Sequence, residues 1–195
     1  VLFRSGDRML DSLIFAGGDG LVRDVWAAGR HVVQDGRHRD RDRITADGGS
    51  GFKAEPGRYH LFVSPNCPWA HRTVIWRRLK GLEDVISLSL ADRPKTEGWS
   101  YSKGIDELEP VDGVFRLHRL YTAVDPECTS KVTVPTLWDR KQRTIVNNES
   151  AEIVRMLNTE FDEWGDETVD FYPEPLRGEI DAINGIIYET LNNGV

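Results

Sequence analysis

The chain has 195 residues, 39% of them hydrophobic and six of them tryptophan, which is enough apolar content to bury a core and argues against global disorder. Its formal net charge of −7 argues against nucleic-acid partners, because proteins that bind the phosphate backbone concentrate Lys and Arg on one face. The sequence has no run of about 18 apolar residues that could span a bilayer, so we expect a cytoplasmic protein without a membrane partner.

Residues 1 to about 43 differ in composition from the rest of the chain. Their short apolar runs lie at residues 13–15, 21–22, 25–26 and 32–33. Such runs between glycine-containing turns predict strands, and we expect residues 25–26 to pair with residues 32–33 as a hairpin. The polar run at residues 35–43 mixes opposite charges with turn formers and predicts a surface loop or linker. Residues 1–44 are therefore expected to be a β-rich fragment and linker, too short to bury a core of their own.

This segment resembles the C-terminal end of metal-dependent amidohydrolases, especially the formimidoylglutamate deiminases, through residues 24–33 and 36–38. In that family a barrel supplies the metal ligands, and the sequence lacks their His-x-His motif. His31 and His38 are better interpreted as surface histidines than as a metal pair. Residues 1–5 also match the translation of a common sequencing adapter, so we hypothesise that residues 1 to about 43 are a fragment of an unrelated gene.

A cysteine at the start of a helix is the main chemical signal of the sequence. Residues 59–63 predict a short strand, residues 64–66 a turn, and residues 68–80 a helix, with Cys67 at the N-cap. Pro68 suits the first helical position, because an N–H there would have no partner within the helix. The positions expected to form the apolar face of this helix are Ala70, Val74, Ile75 and Leu79. Residues 85–90 predict a second strand, which completes a parallel β-α-β unit.

This placement favours a reactive Cys67. The unpaired N–H groups and partial positive charge of a helix N-terminus stabilise a thiolate, which is the nucleophilic form. A buried structural cysteine is the alternative, and the strand-turn-Cys-Pro-helix pattern favours the reactive one. Cys67 and Cys128 lie far apart in sequence, which indicates neither a disulfide framework nor a zinc site with four ligands. We interpret Cys128 as incidental.

Residues 132–138 predict a strand approach in which the Val134–Pro135 peptide is cis and leaves the Val134 backbone free to pair with a peptide-like ligand. A hairpin is expected around residues 139–144. A helix should follow from Ser150, with its apolar face at Ile153, Met156 and Leu157 and an N-terminus that could bind a carboxylate.

Together these motifs resemble the glutathionyl-hydroquinone reductases, the Xi class of glutathione transferases. The residues that carry the resemblance are 45–48, 51–52, 57–61, 66–72, 132–139 and 148–150. It implies an α/β fold, with a thioredoxin-like domain over residues 45–165 and the truncated start of an all-helical domain over residues 166–195. In the helical part, residues 174–193 predict an amphipathic helix whose apolar positions are Ile180, Ile183, Ile186, Ile187 and Leu191.

The resemblance also implies a glutathione site. By resemblance Cys67 is the nucleophile, Trp99 packs on glutathione, and Glu149 and Ser150 hold the γ-glutamyl amine and carboxylate. The peptide backbone and glycine end would be held by Lys131, Val132, Thr133 and Val134. Trp99 could instead be core, Lys131 a solvated charge, and Glu149 a capping acid. Lys131 stands where many relatives carry Arg, which replaces a bidentate fork by a point charge.

The implied activity is glutathione-dependent reduction of glutathionyl-hydroquinones through a cysteine-glutathione mixed disulfide, with glutathione as co-substrate and no metal. The family's proton donor, a tyrosine of the helical domain, would be the next residue after Val195, so we expect this chain to form the mixed disulfide yet turn over poorly. Tyr188 is not assigned that role. The full-length family is expected to be homodimeric. The alternatives are a metal-dependent deiminase fragment over residues 1–43 and a non-catalytic glutathione-binding module.

Overall fold

The computed structural model of the protein describes residues 44–93, 98–129 and 131–192, together with the backbone of three strands between residues 25 and 38. Those three strands are β1 (Val25–Ala27), β2 (Arg30–Gln34) and β3 (Arg37–His38), which form an antiparallel sheet in that order. Val25 pairs with Val33, so the predicted hairpin is confirmed. Residues 35–43 were predicted to form a loop or linker. This prediction is wrong for Arg37–His38, which form β3 and pair with the end of β2. The apolar runs at residues 13–15 and 21–22 lie outside the described residues.

The central sheet of the described domain has four strands in the order β11-β10-β6-β7. These strands are β6 (Tyr59–Val63), β7 (Ser87–Leu90), β10 (Thr136–Asp139) and β11 (Thr144–Asn147). β6 and β7 are parallel, whereas β10 runs antiparallel to both β6 and β11. All five residues of β6 are buried, as expected for a strand with neighbours on both edges and layers on both faces.

Helix α1 (Pro68–Leu79) connects β6 to β7, which confirms the predicted β-α-β unit. Its predicted apolar face is only half correct. Ala70 is buried, but Ile75 and Leu79 are 43% and 50% exposed. The helix instead packs through positions that include the buried Thr73, whose hydroxyl donates to the Ala70 carbonyl and so hides its polar group. The buried face is therefore rotated relative to the one that hydrophobicity alone indicates.

Smaller elements complete the domain. They are the parallel pair β4 (Ile44–Thr45) and β5 (Phe52–Lys53), the antiparallel pair β8 (Ser100–Tyr101) and β9 (Phe115–Arg116), and the helices α2 (His118–Val124) and α3 (Ser150–Thr159). The hydrophobic core lies between the sheet and these helices, and its largest fully buried side chains include Trp138, Tyr59, Tyr101, Phe62, Phe115 and Phe161. Ile44, 1% exposed, belongs to this core.

A buried ion pair fixes the β10–β11 hairpin. Both Nε and Nη2 of Arg58 donate to Oδ2 of Asp139, at 3.0 and 2.6 Å, and the Asp139 side chain is fully buried. The other carboxylate oxygen of Asp139 accepts from the backbone N–H groups of Lys141 and Gln142 in the turn. Both oxygens of this carboxylate thus accept hydrogen bonds, which stabilises a buried charge.

The final segment begins with a 3₁₀ turn (Glu174–Leu176), continues as α4 (Arg177–Ile187) and ends in a π turn (Tyr188–Asn192). This agrees with the predicted helix, although its regular α-helical part is shorter. Tyr172 anchors α4, since its hydroxyl donates to Asp181 at 2.6 Å while the Arg155 guanidinium lies 4.3 Å from its ring centroid. Within the described part of the chain, no helix is long and apolar enough to cross a membrane.

Candidate glutathione site

Cys67 is the N-cap of α1, as predicted. Its backbone is extended, with φ −103° and ψ 112°, and its carbonyl accepts the first helical hydrogen bond from the His71 N–H at 2.9 Å. Pro68 follows at the first helical position. The Cys67 side chain is half-buried against the core and makes no capping hydrogen bond to the first turn of α1.

The Cys67 sulfur contacts the backbone of another segment. The thiol donates to the Val134 carbonyl across 3.5 Å, which joins the start of α1 to the segment before β10. This contact places the Cys67 sulfur beside the backbone of the segment before β10.

The segment before β10 has the predicted form. The Val134–Pro135 peptide is cis. Its neighbour Thr133 is held on both sides, because its carbonyl accepts from Thr136 Oγ1 at 2.7 Å and its hydroxyl accepts from Asn148 Nδ2 at 3.1 Å. The side chains of Val132 and Thr133 are half-buried, and that of Val134 is buried. The structure thus joins Thr133 to the residues that precede α3.

Glu149 and Ser150 lie at the start of α3. Glu149 is the N-cap, and its side chain accepts from the Ala151 N–H at 3.4 Å, which is the capping role weighed as the alternative to ligand binding. Ser150 is the first helical residue and is buried. Its hydroxyl oxygen accepts two hydrogen bonds from Arg72 of α1, one from Nε at 3.0 Å and one from Nη2 at 2.6 Å.

Trp99 and Lys131 complete the predicted set. Trp99 precedes β8, its ring is half-buried against the core, and its carbonyl accepts from the Leu117 N–H at 2.9 Å. The side chain of Lys131 is exposed. Contact with Cys67 is seen for Val134, and Thr133 is linked to the start of α3 through Asn148. For Trp99 and Lys131 the structure shows how exposed each side chain is, and their roles in glutathione binding stay predictions.

Sequence reasoning gave no role to two residues that organise this site: Tyr121 and Asn148. The buried Tyr121 of α2 places its hydroxyl 3.4 Å from the Thr133 N–H nitrogen, from Asn148 Nδ2 and from Thr136 Oγ1. Asn148 lies inside a motif that carried the family resemblance, so a signal existed for it. Tyr121 is distant in sequence from its partners, and only the fold brings it to them.

Burial dominates the electrostatics of the Arg72 side chain. It lowers the pKa of that guanidinium, while Glu149 acts in the opposite direction. Among the described residues, no group of three or more His, Cys, Asp or Glu side chains could hold a metal ion.

The comparison with known families identifies one domain. The glutathione S-transferase N-terminal domain family matches residues 66–160, a range that contains Cys67, Trp99, the segment before β10 and the start of α3.

Curated relatives extend this match over most of the chain. The chain is 46% identical over 186 residues to the glutathionyl-hydroquinone reductase PcpF of Sphingobium chlorophenolicum, covering 91% of this chain and 57% of that protein. It is 45% identical over 190 residues to the glutathionyl-hydroquinone reductase YqjG of Escherichia coli, covering 91% and 58%. The chain therefore spans somewhat more than half the length of these relatives. Alignments that cover 91% of the chain also reach into residues 1–43.

A separate similarity involves a short stretch. The chain is 58% identical over 38 residues to the formimidoylglutamate deiminase of Pseudomonas aeruginosa, which covers 20% of this chain and 8% of that enzyme. The resemblance stated for the N-terminal residues is thus confirmed as a similarity. A match to 8% of that enzyme does not support a proposal that this chain has deiminase activity.

Solved structures agree with the curated relatives. The glutathione-bound structure of YqjG from E. coli matches with a TM-score of 0.69 and 48% identity, over 77% of this chain and 52% of that one. The Xi-class transferase of Natrialba magadii matches with a TM-score of 0.67 and 46% identity, over 77% and 47%. Residues 66–160 therefore match a glutathione S-transferase N-terminal domain, and the chain is similar in sequence and thioredoxin-like fold to Xi-class transferases and glutathionyl-hydroquinone reductases.

Proposed function

We propose that this protein binds glutathione and uses Cys67 to reduce glutathionyl-hydroquinones to hydroquinones. The observation that carries the proposal is the position of the Cys67 sulfur, at the N-terminus of α1 and 3.5 Å from the Val134 carbonyl. Similarity to the glutathionyl-hydroquinone reductases PcpF and YqjG supports the same chemistry. A cytoplasmic location, in a reducing compartment that keeps both cysteines as thiols, is part of this proposal.

In the proposed complex, the glutathione peptide lies along the segment before β10. Its cysteinyl N–H would donate to the Val134 carbonyl and so displace the Cys67 thiol from that acceptor. The Cys67 sulfur, released from this acceptor, would then be free to face the sulfur of the substrate. Trp99, Lys131, Val132 and Thr133 would contact the rest of the tripeptide, with Glu149 and Ser150 at its γ-glutamyl end.

The reaction has two displacements at sulfur. First, the Cys67 thiolate attacks the sulfur that joins glutathione to the aromatic ring, so that a sulfur–sulfur bond forms and the carbon–sulfur bond breaks. The electron pair of the broken bond stays on the ring carbon, which takes up a proton and gives the hydroquinone. A second glutathione thiolate then attacks the mixed disulfide, which releases glutathione disulfide and restores the Cys67 thiolate.

A non-catalytic glutathione-binding module is the competing function. It would use the same recognition surface without a reactive sulfur. The two functions differ in one observable, a covalent glutathione adduct on Cys67.

Intact-mass and peptide mass spectrometry after incubation with a glutathionyl-hydroquinone tests the proposal. We expect a glutathione adduct on Cys67, lost in Cys67→Ser and kept in Cys128→Ser. Cys128 is the matched control because it is also a free, half-buried thiol. An adduct on both cysteines to the same extent, or on neither, would contradict the proposal. Insensitivity of adduct formation to a chelator further separates it from metal-dependent chemistry.

A further inference from the structure

Arg72 and Ser150 connect the helix that begins at Cys67 with the helix that carries the proposed γ-glutamyl site. Both donors that face Ser150, Nε and Nη2, belong to one guanidinium and converge on one oxygen, at 3.0 and 2.6 Å. Ser150 is 3% exposed, so water has little access to that oxygen. The link is therefore a defined fork and not an occasional surface contact.

The fork fixes the hydrogen-bonding direction of the Ser150 hydroxyl. A serine hydroxyl has two acceptor lone pairs and one donor hydrogen. Because Arg72 donates to the hydroxyl oxygen from one side, the hydroxyl hydrogen points away from the guanidinium and is left to donate to a third group. A hydroxyl held in this way suits a ligand atom that accepts, such as a carboxylate oxygen, and suits an ammonium or amide N–H poorly.

Stabilisation of α3 does not explain the position of Arg72. Ser150 is the first residue of α3, and a cation near a helix N-terminus is destabilising because that end carries partial positive charge. Burial disfavours the charged guanidinium further, and Arg155 is a second cation that acts in the same direction. The Trp69 ring, 5.5 Å from Arg72 Cζ, and the nearby Glu149 offset part of this cost. An anion bound beside Ser150 would offset the remainder.

We propose that Arg72 is a positioning residue that holds the Ser150 hydroxyl as a hydrogen-bond donor and thereby selects ligands with a free carboxylate at the γ-glutamyl end. The inference rests on the proposed function, in which Ser150 meets that carboxylate. Arg72 and Cys67 belong to the same helix, so the bonds to Ser150 tie the proposed carboxylate site to the helix that carries the reacting sulfur.

Calorimetric binding in a Cys67→Ser background tests this role, because the serine prevents a mixed disulfide. Two ligands are compared: glutathione, and its analogue γ-aminobutyryl-cysteinyl-glycine, which lacks only the γ-glutamyl carboxylate. We expect Arg72→Met to weaken glutathione binding about tenfold and to leave binding of the analogue unchanged, so that the preference for glutathione disappears. Arg72→Lys should restore part of it, since a single ammonium cannot make both bonds.

Two further variants complete the design. Arg78→Met is the matched control, because Arg78 lies on the same helix with its side chain 82% exposed, and it should change neither affinity. Ser150→Ala should remove the same preference as Arg72→Met, and the double variant should lose no more than either one. This second route decides the question if Arg72→Met does not fold.

The inference is overturned if Arg72→Met weakens both ligands equally, which indicates a purely structural role, or if the preference for glutathione survives Ser150→Ala. Failure of the background protein to bind glutathione at all would overturn the proposed function, and this inference with it. Binding of glutathione with an unchanged preference in the Arg72 variants would overturn the inference alone.

Discussion

Lys80, directly after α1, places its ammonium nitrogen 2.8 Å from the carboxylate of Asp162, on the segment that follows α3. The same nitrogen donates to the carbonyls of Asp166 and Val169, at 2.7 and 2.8 Å. The Lys80 side chain is 1% exposed, and its three N–H donors are all used. A buried cation thus fastens the end of the Cys67 helix to the chain that leads into α4.

Replacement of Lys80 by Met should destabilise the fold strongly. The variant leaves two carbonyls and a carboxylate without their donor, and we expect the free energy of unfolding to fall by about 3 kcal/mol. Lys141→Met is the control, because Lys141 is 65% exposed in its ion pair with Glu55 and should cost less than about 1 kcal/mol. Urea unfolding midpoints measure both, and equal losses would show that burial of the Lys80 ion pair contributes nothing extra.

His60 makes the stability of the fold depend on pH. This side chain, on the central strand β6, lies between two hydroxyls, with Nδ1 2.7 Å from Ser87 Oγ and Nε2 2.9 Å from Ser89 Oγ. Burial lowers the pKa of His60 from 6.5 to about 4. The folded protein therefore resists a proton that the unfolded chain accepts.

The sign of the effect follows from that shift. Above pH 6.5 both states carry a neutral His60, and stability does not depend on it. Between pH 6.5 and about 4 the unfolded state takes up the proton first, so His60 should lower the free energy of unfolding by up to about 3 kcal/mol. Urea unfolding of the wild type and of His60→Gln across this range isolates the contribution from that of the carboxylates. Parallel curves of unfolding free energy against pH for the two proteins would show that His60 makes no such contribution.

Lys131 offers a direct gain of function. If this exposed side chain meets the glycine carboxylate of glutathione, Lys131→Arg should tighten binding about fivefold, because a guanidinium fork makes two parallel hydrogen bonds where an ammonium makes one. Calorimetry in the Cys67→Ser background measures the change, with Lys141→Arg as a control on another exposed lysine. An affinity that does not change would leave Lys131 as a solvated surface charge.

The parts of the fold that follow from local rules were predictable from the sequence. The strand Tyr59–Val63 has a nearly continuous apolar run. Cys67 is followed by a proline, which within a helix is favoured at the first position. The strand and the start of the helix were therefore predicted correctly. Here a few neighbouring residues determine the backbone, and tertiary contacts do not override them.

The contacts that complete the site were not predictable in the same way. Lys80 is buried because three acceptors, 82 or more residues away, surround its ammonium group, whereas hydrophobic periodicity indicates Leu79 for the core. Leu79 is 50% exposed instead. The roles of Tyr121 and Arg72 likewise depend on partners brought by other elements. A single sequence carries no local signal for such pairs.

The bonds around Thr133 have a consequence for the thermodynamics of recognition. The carbonyl and hydroxyl of Thr133 are already held by Thr136 and Asn148. A peptide that docks along this edge therefore meets a surface that is preorganised before encounter, and little backbone entropy remains to be lost from the protein on association. Most of the ordering on complex formation then falls on the flexible tripeptide, not on its receptor.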